Sequence, residues 1–444
     1  MDTGVGREIL WNAGSVGQWI TYVFMVVTFV LLFLGIKKRY AMWKIGKPEP
    51  INFTKTAGAR IGYFIKSGIF HSTILRAGES FPGWMHFFIF WGFLVLTIGT
   101  ALVALQADFT DLLFNYKFLT GNFYLWFSFF LDLAGLIAVI GILMAMYRRY
   151  VAKPERINDN RPDDFICLIW ILVVLVSGFL VEAARIAATR PDYEVWSFIG
   201  WFLAGLFSGM EKGSIETTHL VLWYFHMVIS FGLIVYIAYS RLLHIITSSL
   251  NMMFRGVEEK PRGAIAPIPD FENAEEFGVN NIEGFTWRQI FDLDACTRCG
   301  RCQDRCPANL TQKPLSPKKF IQDLKGEWER VSAGVKNEDG IIDNVIQEET
   351  IWSCTGCLAC QVNCPVSIPT FDKNIEMRRY LIMTLSKVNS ELKLLYKNLQ
   401  TRFDPYGMGK SQRLEWTEGL DIKKATEEEV EYLYWVGCVA SLDD

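Results

Sequence analysis

Five stretches of about 20 apolar residues, each long enough to cross roughly 30 Å of hydrocarbon, dominate the first 250 residues of this 444-residue chain. They cover approximately residues 16–36, 83–105, 123–146, 165–188 and 218–247. Lipid offers no hydrogen bonds to backbone groups, so segments of this kind fold as helices and their expected assembly is a five-helix membrane bundle. The first has neither a basic run before it nor a small-residue cleavage site after it, and reads as a retained anchor and not a signal peptide. Residues 195–210 are also apolar, but they are short and carry three glycines, which points to a re-entrant or interfacial helix.

Composition agrees. With 51% hydrophobic residues and a mean hydropathy of +0.20, the chain is not a wholly soluble protein, and 33 Phe with 15 Trp exclude a disordered or collagen-like one. A net charge of −3 gives no support to nucleic-acid binding. Lipid is therefore the first expected partner.

Basic residues resist translocation, so the loops set the orientation. Nine Lys and Arg lie between spans one and two and five between spans three and four, against Lys117, Arg190 and Lys212 in the opposite loops. Fourteen against three predicts a multi-pass protein of the cytoplasmic membrane, N-terminus outside and everything after span five in the cytoplasm. Residues 58–75 carry Ile61, Phe64, Ile65, Ile69 and Leu75 beside Arg60 and Lys66, the pattern of an amphipathic helix lying along the inner face. The membrane domain is thus expected over residues 1–250. A linker with Pro261, Pro267 and Pro269 follows over 251–284, then a second domain over 285–400 and a remainder over 401–444.

That second domain holds the strongest chemical signal. Cys296, Cys299, Cys302 and Cys306-Pro307, then Cys354, Cys357, Cys360 and Cys364-Pro365, each form the C-x-x-C-x-x-C-x-x-x-C-P run that binds [4Fe–4S] clusters. Three thiolates at this spacing reach three corners of one cubane, and the Cys-Pro step sends the fourth to its neighbour. The expected ligand sets are Cys296, Cys299, Cys302 and Cys364 for one cluster, and Cys354, Cys357, Cys360 and Cys306 for the other. Zinc ribbons use paired thiolates and do not need the third step. Helices are expected over 316–330 and 374–399.

Histidine is the second signal, because the chain has only five. His219, His226 and His244 fall on span five, where separations of seven and eighteen residues return to nearly one helical face at about 100° per residue. His86 opens span two beside Gly83, Gly92 and Gly99, which leave room for a porphyrin. Ionisable groups within a membrane are rare and usually functional, and neutral imidazole is a standard axial ligand to haem iron. An interhelical hydrogen bond is the plainer role for a single histidine; a stripe of three together with His86 favours haem.

Phe225-His226-Met227 with Tyr239-Ser240-Arg241-Leu242-Leu243-His244-Ile245 resembles the last membrane helix of the nitrate reductase gamma-subunit family. Gly83-Trp84-Met85-His86 with Phe90-Trp91-Gly92-Phe93 resembles the second helix of fused proteins in which cytochrome b and heterodisulfide-reductase-like iron–sulfur domains share one chain. The Cys runs, with Lys313-Pro314-Leu315-Ser316-Pro317-Lys318 after the first, are similar to the α-helical ferredoxin module of that family. The resemblance implies a mainly α protein: a transmembrane cytochrome b bundle, a two-cluster ferredoxin domain, and the opening of a Cys-rich domain at residues 431–440, whose strand would lead to Cys438. It implies a quinone-linked oxidoreductase exchanging electrons between a cytoplasmic protein, often electron-transfer flavoprotein, and menaquinone or another membrane quinone. Further subunits or a homodimer are open.

By that pattern His86 and His244 match a bis-histidine haem b near the cytoplasmic face, and His226 an outer-haem ligand, so one or two haems are expected. The alternative pairs His71 with His244 and His86 with His226; His71 and His219 are otherwise candidates for hydrogen-bonding quinone. Arg241 and Arg76 are candidates for haem propionates, or are snorkelling cations. Glu182 and Arg185 are candidates for a quinone pocket, or are a structural ion pair; Asp132 is similarly open, and Cys167 reads as a small buried apolar residue. No catalytic triad or phosphate loop is legible. Two other functions stand beside the electron conduit. A heterodisulfide-reductase type of enzyme acting on a disulfide would be distinguished by paired Cys-Cys-Gly motifs after Cys438 in a longer natural chain, and a haem-bearing membrane anchor or redox sensor would not turn over quinone.

Overall fold

The computed structural model describes residues 4–51, 53–255, 257, 263–268 and 270–442; Pro261 and Pro269 of the expected linker lie outside these. The chain divides into two compact units, Met1–Pro267 with Asn280–Asn374, and Ile268–Val279 with Ile375–Asp444. Among the described residues there is no β-strand, and the fold is mainly α.

In the first unit five helices are long and apolar enough to cross a membrane: α1 (Gly14–Trp43), α3 (Ser80–Leu105), α4 (Gly121–Met146), α5 (Pro162–Thr189) and α7 (Lys212–Ile237). Between them lie α2 (Phe53–Phe64) and the short α6 (Phe198–Ala204); α8 (His244–Arg255) follows α7. Helices in lipid gain nothing from burying apolar surface against one another and associate where small residues let backbones approach. Gly92 of α3 shows this, since a Cβ there would lie 2.7 Å from Ala138 Cβ and 2.8 Å from the Ala134 carbonyl of α4. Gly35 of α1 meets Ala238 in the same way, at 2.6 Å. Cys167 is buried in the apolar core with Ile142, Ile171 and Leu233.

Two membrane-side expectations are corrected. The fifth span does not run unbroken to residue 247; α7 ends at Ile237 and His244 opens a separate helix. Ser240 is extended there, its Oγ accepting from the Leu242 N–H at 3.1 Å, while Asp163 of α5 accepts the Arg241 N–H at 3.0 Å and the Tyr236 hydroxyl. These side chains take over the backbone donors and so compete with helix continuation. The expected 58–75 helix instead starts at Phe53, ends in a wide turn over Ile65–Ile69, and stops before His71, whose φ is +58°. Arg60 is 1% exposed and donates to the Met253 and Phe254 carbonyls at 2.9 and 2.5 Å, where α8 runs out of intrahelical partners.

The cysteine-bearing residues pack onto one end of the bundle. Helix α9 (Trp287–Ala295) begins with a reciprocal cap between Thr286 and Gln289, and α10 (Pro317–Ser332) with Ser316 accepting from the Lys319 N–H at 3.3 Å. Trp43 at the end of α1 donates to Asp294 at 3.0 Å, and Trp328 of α10 donates to the Met42 carbonyl at 3.0 Å. In the second unit the helix expected over 374–399 is interrupted, with a wide turn at Tyr380–Thr384, Ser386 at φ +51°, and a new helix Ser390–Arg402 capped by Asn389. Residues 431–437 form no strand: no second strand is present among the described residues to complete their hydrogen bonds.

Asp292 of α9 is wholly buried against Arg255 and Lys373, with Nζ of Lys373 at 2.7 Å and Nη2 of Arg255 at 2.9 Å. Burial alone would raise this carboxyl, but the two cations outweigh it and hold it below the usual value. Because the native value is depressed, its contribution to stability is full above the unfolded carboxylate value, about 3.9, and is lost as pH falls through the native one. Asp292→Asn leaves two buried cations short of a counter-charge, and we expect a loss of about 3–5 kcal/mol, read as a lower Tm of the detergent-solubilised protein at neutral pH.

Candidate redox centres

Both cysteine runs wind the backbone in the same way. Arg298 and Gly300 in the first run, and Gly356 and Leu358 in the second, sit at corresponding positions, and all four have left-handed φ between +56° and +75°. Right- and left-handed residues in alternation turn N–H groups toward a common centre, the concave arrangement that suits anionic iron–sulfur sites. Arg298 and Leu358 adopt this conformation despite their Cβ atoms, so the surroundings impose it.

The thiols fall into two groups. Burial, then Cys299, Cys296 and Cys364, push the Cys302 thiol well above its ordinary value; burial and then Cys299 raise Cys364 to about 12. In the other group, burial, then Cys354, Cys306 and Cys357 raise Cys360 to about 12. Cys302 is also raised by Cys360, so the two groups adjoin. Such neighbours cannot stay ionised together without a cation, and thiolate is the form that ligates metal. Among the described residues no three His, Cys, Asp or Glu side chains close round a single ion. Cys306, Cys354, Cys357 and Cys360 instead line one hollow with the apolar Leu315, Phe320 and Phe371. Four thiols around an apolar hollow fit an iron–sulfur cube. Cys357 is exposed, whereas the Cys296 group lies against the membrane domain: Ser248 of α8 donates to the Ala295 carbonyl at 3.2 Å, and Thr73 to the Pro365 carbonyl at 3.0 Å.

Three of the five histidines meet at the same end of the bundle. The rings of His86 and His244 have centroids 6.4 Å apart, and His71 Nε2 lies 2.9 Å from His86 Nδ1. Two imidazoles on opposite sides of one iron, with metal–nitrogen bonds of about 2.0 Å, put their ring centres roughly 6 Å apart, so this pair fits a haem iron. His244 Nδ1 is 2.8 Å from the Arg241 carbonyl, which only accepts; Nδ1 therefore carries the proton and Nε2 is left bare for a metal. Burial lowers His244 to about 4 and holds His71 below the ordinary imidazole value, so both are neutral at physiological pH. His226 is elsewhere, with Nδ1 2.9 Å from Ser177 Oγ and its ring against Gly178 of α5. His219 is buried edge-on to Trp11.

The other candidates have protein partners. Arg241 pairs with Asp164, which Arg149 and Arg298 also reach at 2.8 and 2.6 Å, and Arg76 donates to the Val362 carbonyl at 2.7 Å. Arg185 lies 2.6 Å from Glu194 and 3.9 Å from Glu182. Glu182 is hydrogen-bonded to Asp132, which accepts the Ile199 N–H at 2.6 Å. Cys438 accepts from Arg413 at 3.2 Å. Asp164 and Glu79 escaped sequence reading. A carboxylate at a helix start looks like an ordinary N-terminal residue, and nothing local announces that arginines from distant segments converge on it.

Residues 83–258 match the nitrate reductase gamma subunit family, and residues 292–368 match the 4Fe-4S dicluster domain. The chain is therefore a membrane protein fusing a nitrate reductase gamma-like helical domain with an iron–sulfur dicluster domain. Over 96% of its length it is 33% identical to the EtfAB:quinone oxidoreductase of Syntrophomonas wolfei, covering 64% of that protein. Over 95% it is 26% identical to the "Probable iron-sulfur-binding oxidoreductase FadF" of Bacillus subtilis, covering 65%. Over 36% it is 28% identical to one of the polypeptides of the dihydromethanophenazine:CoB–CoM heterodisulfide reductase of Methanosarcina mazei, covering 40% of that polypeptide. The chain thus spans just under two thirds of the length of the first two. No solved structure matches it.

Each thiol group should hold its own cluster. Cys354→Ala is expected to lower cluster iron from about eight to about four atoms per chain while the other cluster's EPR signal persists, with Cys296→Ala giving the complementary loss. Cys438→Ala should leave iron content unchanged.

Proposed function

We infer that this membrane iron–sulfur protein is a quinone-linked oxidoreductase that carries electrons between a soluble cytoplasmic partner and membrane quinone. Two [4Fe–4S] clusters are held by Cys296, Cys299, Cys302 and Cys364 and by Cys354, Cys357, Cys360 and Cys306, and one haem b by His86 and His244. The observation that carries this reading is the approach of the Cys296 group to the histidine pair, since His244 opens α8 and Ser248, one turn on, bonds the carbonyl beside Cys296. When bound, the clusters and haem pass single electrons; the chain supplies their spacing and exclusion of water.

The exposed Cys357 group faces the soluble partner and the Cys296 group faces the haem, so electrons are handed on in the order Cys354 group, Cys296 group, histidine pair, or the reverse. The name of the Syntrophomonas relative supports electron-transfer flavoprotein as that partner and quinone as the membrane-side substrate. Orientation with the N-terminus outside is supported by the fourteen basic loop residues. The ends of α1 and α5 that border those loops, at Trp43 and Asp164, are the ends that receive the cysteine domain. Arg185 serves Glu194, while Glu182 with Asp132 forms a carboxyl pair able to exchange the protons that accompany quinone turnover.

Purified full-length chain in detergent should contain haem b, about eight cluster iron atoms, and haem that is reduced by a quinol analogue. His86→Ala and His244→Ala should each abolish the b-type spectrum while the cluster EPR signals remain. A quinol that reduces neither haem nor clusters, with haem present, would overturn the quinone assignment.

A further inference from the structure

His71 is the third histidine at this end of the bundle. It sits two residues past the end of the α2 turn, 1% exposed, in a left-handed conformation with φ +58° that few non-glycine residues adopt. Its own carbonyl accepts the N–H groups of Ile74 and Leu75 at 2.9 and 2.7 Å, closing a tight strap over residues 71–75. That strap is pinned by the first and second cysteine runs together. Arg301, between Cys299 and Cys302, donates to the Thr73 and Ile74 carbonyls at 2.9 and 2.8 Å, and Thr73 Oγ1 donates to the carbonyl of Pro365, next to Cys364. An unusual backbone conformation persists only where the surroundings over-determine it, and here the loops of one cluster group do so.

The hydrogen-bond chain then leaves one consistent proton arrangement. The Ile69 carbonyl can only accept, and it lies 2.9 Å from His71 Nδ1, so in neutral His71 the proton is on Nδ1. Nε2 of His71 is then an acceptor, and the only proton available between it and His86, 2.9 Å away, is the one on His86 Nδ1. The remaining nitrogen of His86, Nε2, is bare.

We propose that His71 is a positioning residue for the haem: by accepting the hydrogen bond from His86 Nδ1 it selects the tautomer whose Nε2 is free for iron and gives that imidazole added negative character. The inference rests on the reading of His86 as an axial ligand. Partners of this kind orient a ligating imidazole and raise its basicity. A more basic ligand favours ferric over ferrous iron, so the haem potential is held down on the side of the molecule where the Cys296 group would hand over electrons. His244 achieves the same tautomer with a backbone carbonyl, a weaker acceptor than an imidazole nitrogen, so the two ligands of one iron are unequal, and the inequality traces to a strap built by the cysteine loops.

The test compares His71→Leu and His71→Gln in the full-length protein, measuring haem per chain, the redox midpoint of the haem, and the low-spin ferric EPR signal. Leucine removes the acceptor: haem should be retained at lowered affinity, with the ferrous-to-ferric ratio at fixed potential raised about tenfold, equivalent to about 59 mV for a one-electron couple. Glutamine, whose Oε1 can accept from Nδ1–H, should restore most of the wild-type midpoint and EPR signal. An unchanged midpoint in His71→Leu with haem present, or a glutamine variant shifted as far as leucine, would sink the proposal. Loss of the b-type spectrum in both His71 variants but its survival in His86→Ala would make His71 a ligand and also overturn it. If His71→Leu does not fold, the midpoint of the glutamine variant decides. Absence of haem from wild-type protein would instead reject the haem reading itself, and this inference with it.

Discussion

One buried carboxylate joins the two halves of the first unit. Asp164 is fully buried near the start of α5, and three guanidinium groups reach it: Arg149 from the end of α4, Arg241 from the segment between α7 and α8, and Arg298 from the first cysteine run. An ionised carboxylate out of water is tolerated only when paired and hydrogen-bonded, a need these three guanidinium groups meet together. Its neighbour Asp163 takes the Arg241 N–H and the Tyr236 hydroxyl, and so ends the fifth membrane helix. Two consecutive residues therefore decide where the bundle stops and where the cysteine loops sit on it.

The redox reading depends on that arrangement. Because the chain breaks after Ile237, His244 leads α8 along the same end of the bundle at which His86 lies in the first turns of α3, and α8 then touches the residue before Cys296. Around this junction other ion pairs repeat the theme. Burial would raise Glu79, but Arg156, then Arg301 and Arg148, hold it below its ordinary value, and Arg156 also reaches Asp304 in the first cysteine run at 2.9 Å. A set of charged side chains satisfied across the junction favours one relative placement of thiols and histidines, and electron transfer between centres needs a fixed separation more than it needs any reacting group.

Much of this was legible in the chain. Five spans could be read because hydrocarbon thickness sets a length that apolar composition must match, and all five helices occur, although the fifth is shorter than hydropathy alone implied. The cysteine runs could be read because their ligand spacing is local. The end of span five could not. Leu242, Leu243, Ile245 and Ile246 continue an apolar pattern, and the caps that stop the helix come partly from Asp163, 78 residues earlier in the chain.

Sequence by itself determined the materials: apolar lengths, thiolate runs, basic loops and a handful of histidines, each a property of neighbouring residues or of a short periodic pattern. Only the tertiary structure decided which histidine stands beside which, that Arg241 answers Asp164, that Arg185 belongs with Glu194, and that His71 reaches His86 through a turn no propensity would favour. The reason is physical. Periodicity is written along one helix, whereas the partner of a buried charge or an imidazole nitrogen is set by which chain ends meet, and in this protein those ends meet where cysteine loops and membrane helices share one interface.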